Sequence, residues 1–254
     1  MKPITVKFHS YDQAVTEALD LIGAAETLKR QKAILIKPNL VNSSAHPVTT
    51  APECCEAVIN YVRSCCAAEI VIAEGCGAPS VETDEIFEIL GYRRLAGRYN
   101  IKLVDLNQEP LKKSVRSDCP VFPGIYLPKI AFTHFIISVP VLKAHSLATF
   151  TGSLKNMIGF APPLHYSGQY GTWKKARFHH KIHQAIIDLN RYRRADLTLM
   201  DASIGLPEYH LGGPACNPPV GKIVAGFDPS ATDRTAAGLL NLNWRTIPHL
   251  AATL

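Results

Sequence analysis

Apolar positions follow two alternating rhythms along the first hundred residues. Short runs of Ile, Val and Leu predict strands at 4–8, 33–36, 69–73 and 102–106. Between them, Val15, Leu19, Ile22 and Leu28 recur at helical spacing and predict a helix over 12–30. Further helices are expected over 53–66, with Pro52 in the first turn, and over 83–99. The run at 33–36 is continuous rather than alternating, as in a strand buried on both faces. Repeated strand–helix–strand units of this kind predict a parallel sheet.

The rhythm changes in the middle. Residues 114–131 alternate polar and apolar positions around Pro120, Pro123 and Pro128, which suits a hairpin. The most apolar strand follows at 135–142, then a helical turn at 152–159 and a loop at 162–175. A helix over 181–192, strands at 197–200 and 222–227 and a helix over 232–242 complete the pattern. The expected fold class is α/β: an open, mostly parallel twisted sheet with helices on both faces. It forms a single domain over 1–254 with a hairpin-like insertion at about 108–132.

Composition narrows the class. Of 254 residues, 47% are hydrophobic and 19% charged, enough apolar matter to exclude disorder over most of the length. No apolar run approaches the roughly 20 residues that span a bilayer, and Met1 to Lys7 lacks the apolar core of a secretory signal. A cytoplasmic protein without a membrane segment is expected. The net charge of +6 favours an anionic partner. The densest basic stretch, 173–181, followed by Arg191, Arg193 and Arg194, reads as a solvated loop or as a nucleic-acid contact, the weaker of the two.

The seven cysteines include no Cys-x-x-Cys, so no ferredoxin-type cluster motif is present. Cys54-Cys55 and Cys65-Cys66 lie 11 residues apart on one predicted helix, about 16 Å apart and too far to share an ion. Buried reduced thiols are the plain reading. Cys76, in a strand-exit turn, is the best single thiol for iron–sulfur or electron-transfer chemistry, with Cys119 and Cys216 as distant helpers.

In open parallel sheets, ligands bind beyond the carboxyl ends of the strands. The residues following the predicted strands are Lys37 and Asn39; Glu74, Gly75 and Cys76; Asp105 and Asn107; Lys143 and His145; Asp201 and Ser203; and Asp228. Lys143 and His145, two apart, share one side of an extended chain. Such a pair combines a cation with a group that titrates near neutrality, which suits holding an anion and moving a proton. Thr151 or Ser153 is placed to cap a helical turn that favours a phosphate or carboxylate, with Lys155 adding charge and Asn156 beside it. Gly212-Gly213 reads as a tight turn or a backbone nest for a ligand. His179 and His183, four apart on an expected helix, are the candidate ligands for a divalent metal. Dinucleotide, P-loop and Gly-x-Ser-x-Gly signatures are absent.

These residues resemble a known family, the domain of unknown function family 362. The resemblance runs from about Ile34 to Asp233 and rests first on Val139 to His145 continued by Thr151-Gly152-Ser153-Leu154-Lys155-Asn156-Met157-Ile158-Gly159. Lys37-Pro38-Asn39-Leu40-Val41, Thr49-Thr50-Ala51-Pro52, Leu127-Pro128-Lys129, Asp188-Leu189, Asp201-Ala202, Gly212-Gly213-Pro214 and Asp228-Pro229 with Asp233 add to it. Thr133-His134 departs from the family, where an acidic residue is common. The resemblance implies association with ferredoxin-like modules, hence a ferredoxin-like partner. It also implies a distant similarity to the lactate racemase fold, where a lysine and histidines hold a nickel pincer nucleotide. Carried over, Lys155 or Lys143 would lie near such a cofactor and His145 near its metal. The chain ends soon after its last predicted helix, so longer members would extend beyond it.

The leading expectation is an enzyme, isomerase-, racemase- or oxidoreductase-like. It would bind a small carboxylate or phosphate, or a nucleotide-like cofactor, through Lys37, Asn39, Lys143 and Lys155, with His145 moving protons. The alternatives are an iron–sulfur or electron-transfer accessory built on Cys76 and, last, nucleic-acid binding. Substrate and oligomeric state are left open.

Overall fold

The computed structural model describes residues 2–252. The first half runs β1 (Ile4–Lys7), α1 (Tyr11–Leu21), α2 (Ala24–Leu28), β2 (Ala33–Pro38), α3 (Pro52–Cys65), β3 (Glu69–Glu74), α4 (Thr83–Ile89), α5 (Tyr92–Tyr99) and β4 (Lys102–Asp105). Two expected helices are each broken in two, at Gly23 (φ 67°) and Gly91 (φ 80°), because glycine enters the left-handed region at little cost.

A separate antiparallel hairpin follows, β5 (Leu111–Val115) with β6 (Gly124–Pro128). Then come β7 (Phe135–Val139) and β8 (Val141–His145), one apolar run interrupted at Pro140. β9 (Thr149–Thr151), α6 (Ser153–Asn156), α7 (Pro163–Tyr166), α8 (Ile182–Tyr192), β10 (Leu197–Leu206), β11 (Lys222–Gly226), α9 (Pro229–Leu239) and α10 (Pro248–Ala251) complete the chain.

The main sheet has the order β1-β11-β10-β7-β2-β3-β4, with β8 on the far end of β10 and β9 beside β8. β4, β3, β2, β7 and β10 are mutually parallel, and β1 points the same way. β11 and β9 alone run against them. Alternation along the strands sends side chains to two layers. Ile34, Ile36, Ile70, Ile72, Ile137 and Leu199 pack against residues of α1 to α5. Leu35, Val71, Val104 and Ile136 face Ala185 and Leu189 of α8 and Ile125 and Leu127 of the hairpin. Met200, Ala202 and Val224 face Leu154 of α6 and Ala236 and Ala237 of α9. Helices thus cover both faces, and the carboxyl ends of the parallel strands stay open between the layers. Among the described residues no helix is long and apolar enough to cross a membrane.

Candidate functional site

The last residues of β2 and β3 meet across their parallel pairing. Lys37 shares its strand face with Leu35, which sends it beneath the sheet, yet it ends fully buried. Its Nζ donates to both oxygens of Glu74 at 2.9 Å, to the Pro38 carbonyl at 3.1 Å and to Asn156 Oδ1 at 3.2 Å. Burial lowers the pKa of this ammonium, and the Glu74 carboxylate opposes that shift. Glu74 also accepts from the Leu40 and Gly75 backbone N–H groups.

Asn156 closes this corner. Its oxygen accepts from Lys37 and Asn39, and its amide nitrogen donates to the Lys37 carbonyl and to Ser138 Oγ. Both lone pairs and both protons are used, so a residue read as catalytic serves as the joint between α6 and the strands. The corner is also glycine-dependent. A Cβ on Gly159 would collide with Glu74 Oε1 and reach 2.5 Å from Lys37 Nζ, and one on Gly75 would lie 2.5 Å from the Gly159 carbonyl.

Asn39 carries the network onward. Its Oδ1 accepts from Lys143 Nζ at 2.7 Å, and Lys143 donates also to the Val48 carbonyl at 2.6 Å. Burial and the neighbouring Lys155 cation pull Lys143 down to about 7. Lys175, from the loop before α8, is buried with its Nζ on three oxygens: Asn107 Oδ1 at 2.7 Å, the Gly159 carbonyl at 3.2 Å and the Ala161 carbonyl. Burial draws it to about 7, while three acceptors match the three protons of an ammonium.

Lys155 differs from the other three. Its Nζ has no hydrogen-bond or ion-pair partner among the described residues, and burial lowers it to about 8. It lines a cavity with Asn39, Glu74, Gly75, Trp173, Lys175 and His179 whose internal volume is about 80 Å³, room for a small molecule only.

Four imidazoles feel the Lys155 charge: His145, His210, His179 and His249. His145 Nδ1 accepts from the Leu147 and Ala148 N–H groups at 3.0 and 3.1 Å, so the proton of the ring sits on Nε2. Burial, then Lys155, drives its pKa far below the usual histidine value, and the ring is neutral. It stacks on His210 with centroids 3.7 Å apart. Burial takes His210 to about 3, and its Nδ1 is buried without a partner.

Several residues expected at this cleft lie elsewhere. Asp228 follows β11, the reversed strand, and so sits at the opposite end of the sheet, where it caps α9 by accepting from Ser230 N. Asp201, fully buried, forms another cluster with Tyr11 at 2.8 Å, His46 at 3.1 Å and Ser203 at 2.6 Å. His46 Nε2 faces both Ser203 and Asp201, whereas a nucleophile relay uses the two ring nitrogens separately.

The start of α6, expected to favour a ligand anion near Thr151 and Ser153, already holds an internal carboxyl group, which burial raises to about 7. Asp233 accepts from Ser153 N at 2.7 Å and Leu154 N at 2.9 Å. Gly212, at φ 120°, and Gly213 form the turn beyond His210, with Gly213 N donating to the Tyr209 carbonyl.

His179 and His183 do not share a helix. Lys181 takes a left-handed conformation (φ 54°) and separates the 3-10 turn Ala176–His179 from α8. His183 pairs instead with His249, Nδ1 to Nδ1 at 2.8 Å. Among the described residues no three His, Cys, Asp or Glu side chains converge as a metal donor set. Cys76 is buried, its thiol donating to the Val81 carbonyl at 3.2 Å; burial raises its pKa despite Lys174 nearby. Cys119 bonds the Asp188 carbonyl, and Cys216 packs by Gly205.

Lys175, Trp173, Gly159 and His210 were not read as site residues. Lys175 stood in a basic stretch that resembled a solvated loop, and His210 had only the nearby Gly212-Gly213 turn to mark it. The rest of that basic stretch is dispersed: Lys174 pairs with Glu82, Arg177 bonds the His165 carbonyl, and Arg193 pairs with Asp196.

A family profile described as a domain of unknown function (DUF362) matches residues 34–238. No curated protein matches the sequence. Among solved structures, the lactate racemase apoprotein from Thermoanaerobacterium thermosaccharolyticum aligns with a TM-score of 0.50 at 16% identity, over 93% of this chain and 56% of that one. The chain spans little more than half of that protein, and the likeness is one of fold.

Proposed function

Given that the chain belongs to the DUF362 family, a domain of unknown function, we propose its activity from the cleft: an enzyme that binds a small carboxylate or phosphate beside Lys155. The carrying observation is a charge imbalance. Four lysines, Lys37, Lys143, Lys155 and Lys175, gather at the carboxyl ends of the strands against two carboxyl groups, Glu74 and Asp105. Buried like charges raise one another's free energy, and an anion entering the cavity would relieve that repulsion.

The roles follow from protonation states. Lys155, lowered to about 8, exchanges a proton near neutrality and suits a general base. His145, kept neutral with its proton on Nε2, suits a hydrogen-bond donor to a substrate oxygen rather than an acid. Lys175, its Nζ held on three oxygens, adds positive charge when protonated. A nucleotide-like cofactor carrying phosphate would answer the same imbalance.

Trp173 lines the cavity and reports on its occupant. Titrating lactate, malonate or phosphate into a Trp244→Phe background should change the Trp173 fluorescence, and Lys155→Met should weaken that binding at least tenfold. If no small anion perturbs Trp173 at millimolar concentration, the reading fails.

A further inference from the structure

We propose that Lys155 is a nucleophile that condenses with the carbonyl carbon of a small 2-oxo carboxylate to form an imine in the cavity. This rests on the anion-binding reading above and specifies its substrate class.

The argument starts from counting acceptors. An ammonium has three protons to place, whereas an amine offers a lone pair. Lys37 Nζ has four oxygen acceptors, Lys175 three and Lys143 two. Lys155, half-buried and with none among the described residues, is the one whose Nζ opens onto the cavity instead of onto protein oxygens. Its neighbours are Lys143, itself lowered to about 7, and the His145 and His210 rings. Desolvation among groups that bring no counter-charge is one way proteins expose a nucleophilic amine near neutral pH.

The rest of the cavity suits an oxo acid. Lys175 and His179 line the same cavity, so that a carboxylate would meet positive charge and the carbonyl oxygen an imidazole. The step balances without an outside reagent. The Nζ lone pair forms the C–N bond while the carbonyl π pair moves to oxygen. The two amine protons pass to that oxygen, which leaves as water as C=N forms; nothing is oxidised or reduced. The product, once protonated, pairs an iminium with the substrate carboxylate.

Reductive trapping tests this. The full chain is incubated with pyruvate or glyoxylate and cyanoborohydride near pH 7.5, then mapped by peptide mass spectrometry. A lysine lowered to about 8 carries on the order of a hundredfold more free amine at that pH than an exposed one. Lys155 should therefore be labelled far ahead of Lys112 and Lys113, and Lys155→Arg should lose that label. Label spread over exposed lysines, or placed on Lys143 or Lys175, overturns the proposal. Lactate, which lacks the carbonyl, separates the two readings through Trp173. If lactate and pyruvate both perturb Trp173 yet no adduct forms on Lys155, the imine fails and anion binding stands; if neither does, both fail.

Discussion

Two corners of one cleft contain the same side chain in opposite circumstances. At Lys37 the ammonium is enclosed by the Glu74 carboxylate, the Pro38 carbonyl and Asn156, with every donor used. At Lys155, one residue before Asn156, the amine faces a cavity lined also by Glu74, Lys175 and His179, with no acceptor in hydrogen-bond contact among the described residues. The first corner resembles a bolt joining β2, β3 and α6. The second retains charge and reactivity that the fold leaves unspent. Burial alone does not mark a functional lysine; the number of acceptors around it does.

The sharpest way to break this contrast is at the bolt. Glu74→Ala leaves Lys37 buried and unpaired and should cost about 3–5 kcal/mol of stability in chemical denaturation. Lys37→Met combined with Glu74→Leu should recover part of that loss, because it removes both charges. A double variant as unstable as the single one would refute the bolt. Next in size is Gly159→Ala, whose methyl would intrude between Glu74 and Lys37; overpacking of this kind costs about 1–3 kcal/mol.

Proton linkage should sharpen the other corner. Lys155 titrates near 8 and Lys143 near 7 in the empty cleft, and a bound anion would raise both. Anion affinity should therefore increase as pH falls from about 9 toward 6 and level off below, where both lysines are charged in any case. Flat affinity across that window would contradict the assignment.

Stability carries the same sign. Lysines lowered from the ordinary value of about 10.4 bind fewer protons folded than unfolded, so stability should rise with pH between their folded values and about 10.4. Lys155→Met should shallow that rise and, of these variants, disturb stability at neutral pH least. A large loss at pH 7 would make Lys155 structural.

Much of the layer order was readable because alternation and helical spacing are local. Ile34 and Ile36 against Leu35 already imply two buried faces. Helix breaks at Gly23 and Gly91 were missed because apolar spacing continued across them. The reversed strand was missed for another reason: 222–227 reads alike in either direction, and its pairing with β10 and β1 decides which end Asp228 occupies. The cleft was partly legible, since Lys37, Glu74, Lys143 and Lys155 all stand at or near strand ends. Lys175 and His210 were not, because each arrives on a loop whose path depends on what it packs against.

Residue type and spacing, which are properties of the chain, are enough to fix the α/β class, the family and a store of lysines and histidines beyond the strands. Which lysine is held and which is left open is settled by folding. That choice depends on oxygens from residues far apart along the chain, such as Glu74 for Lys37 and Asn107 for Lys175. A proton's stability on nitrogen is set by whatever atoms converge within about 3 Å, and convergence is a property of the fold.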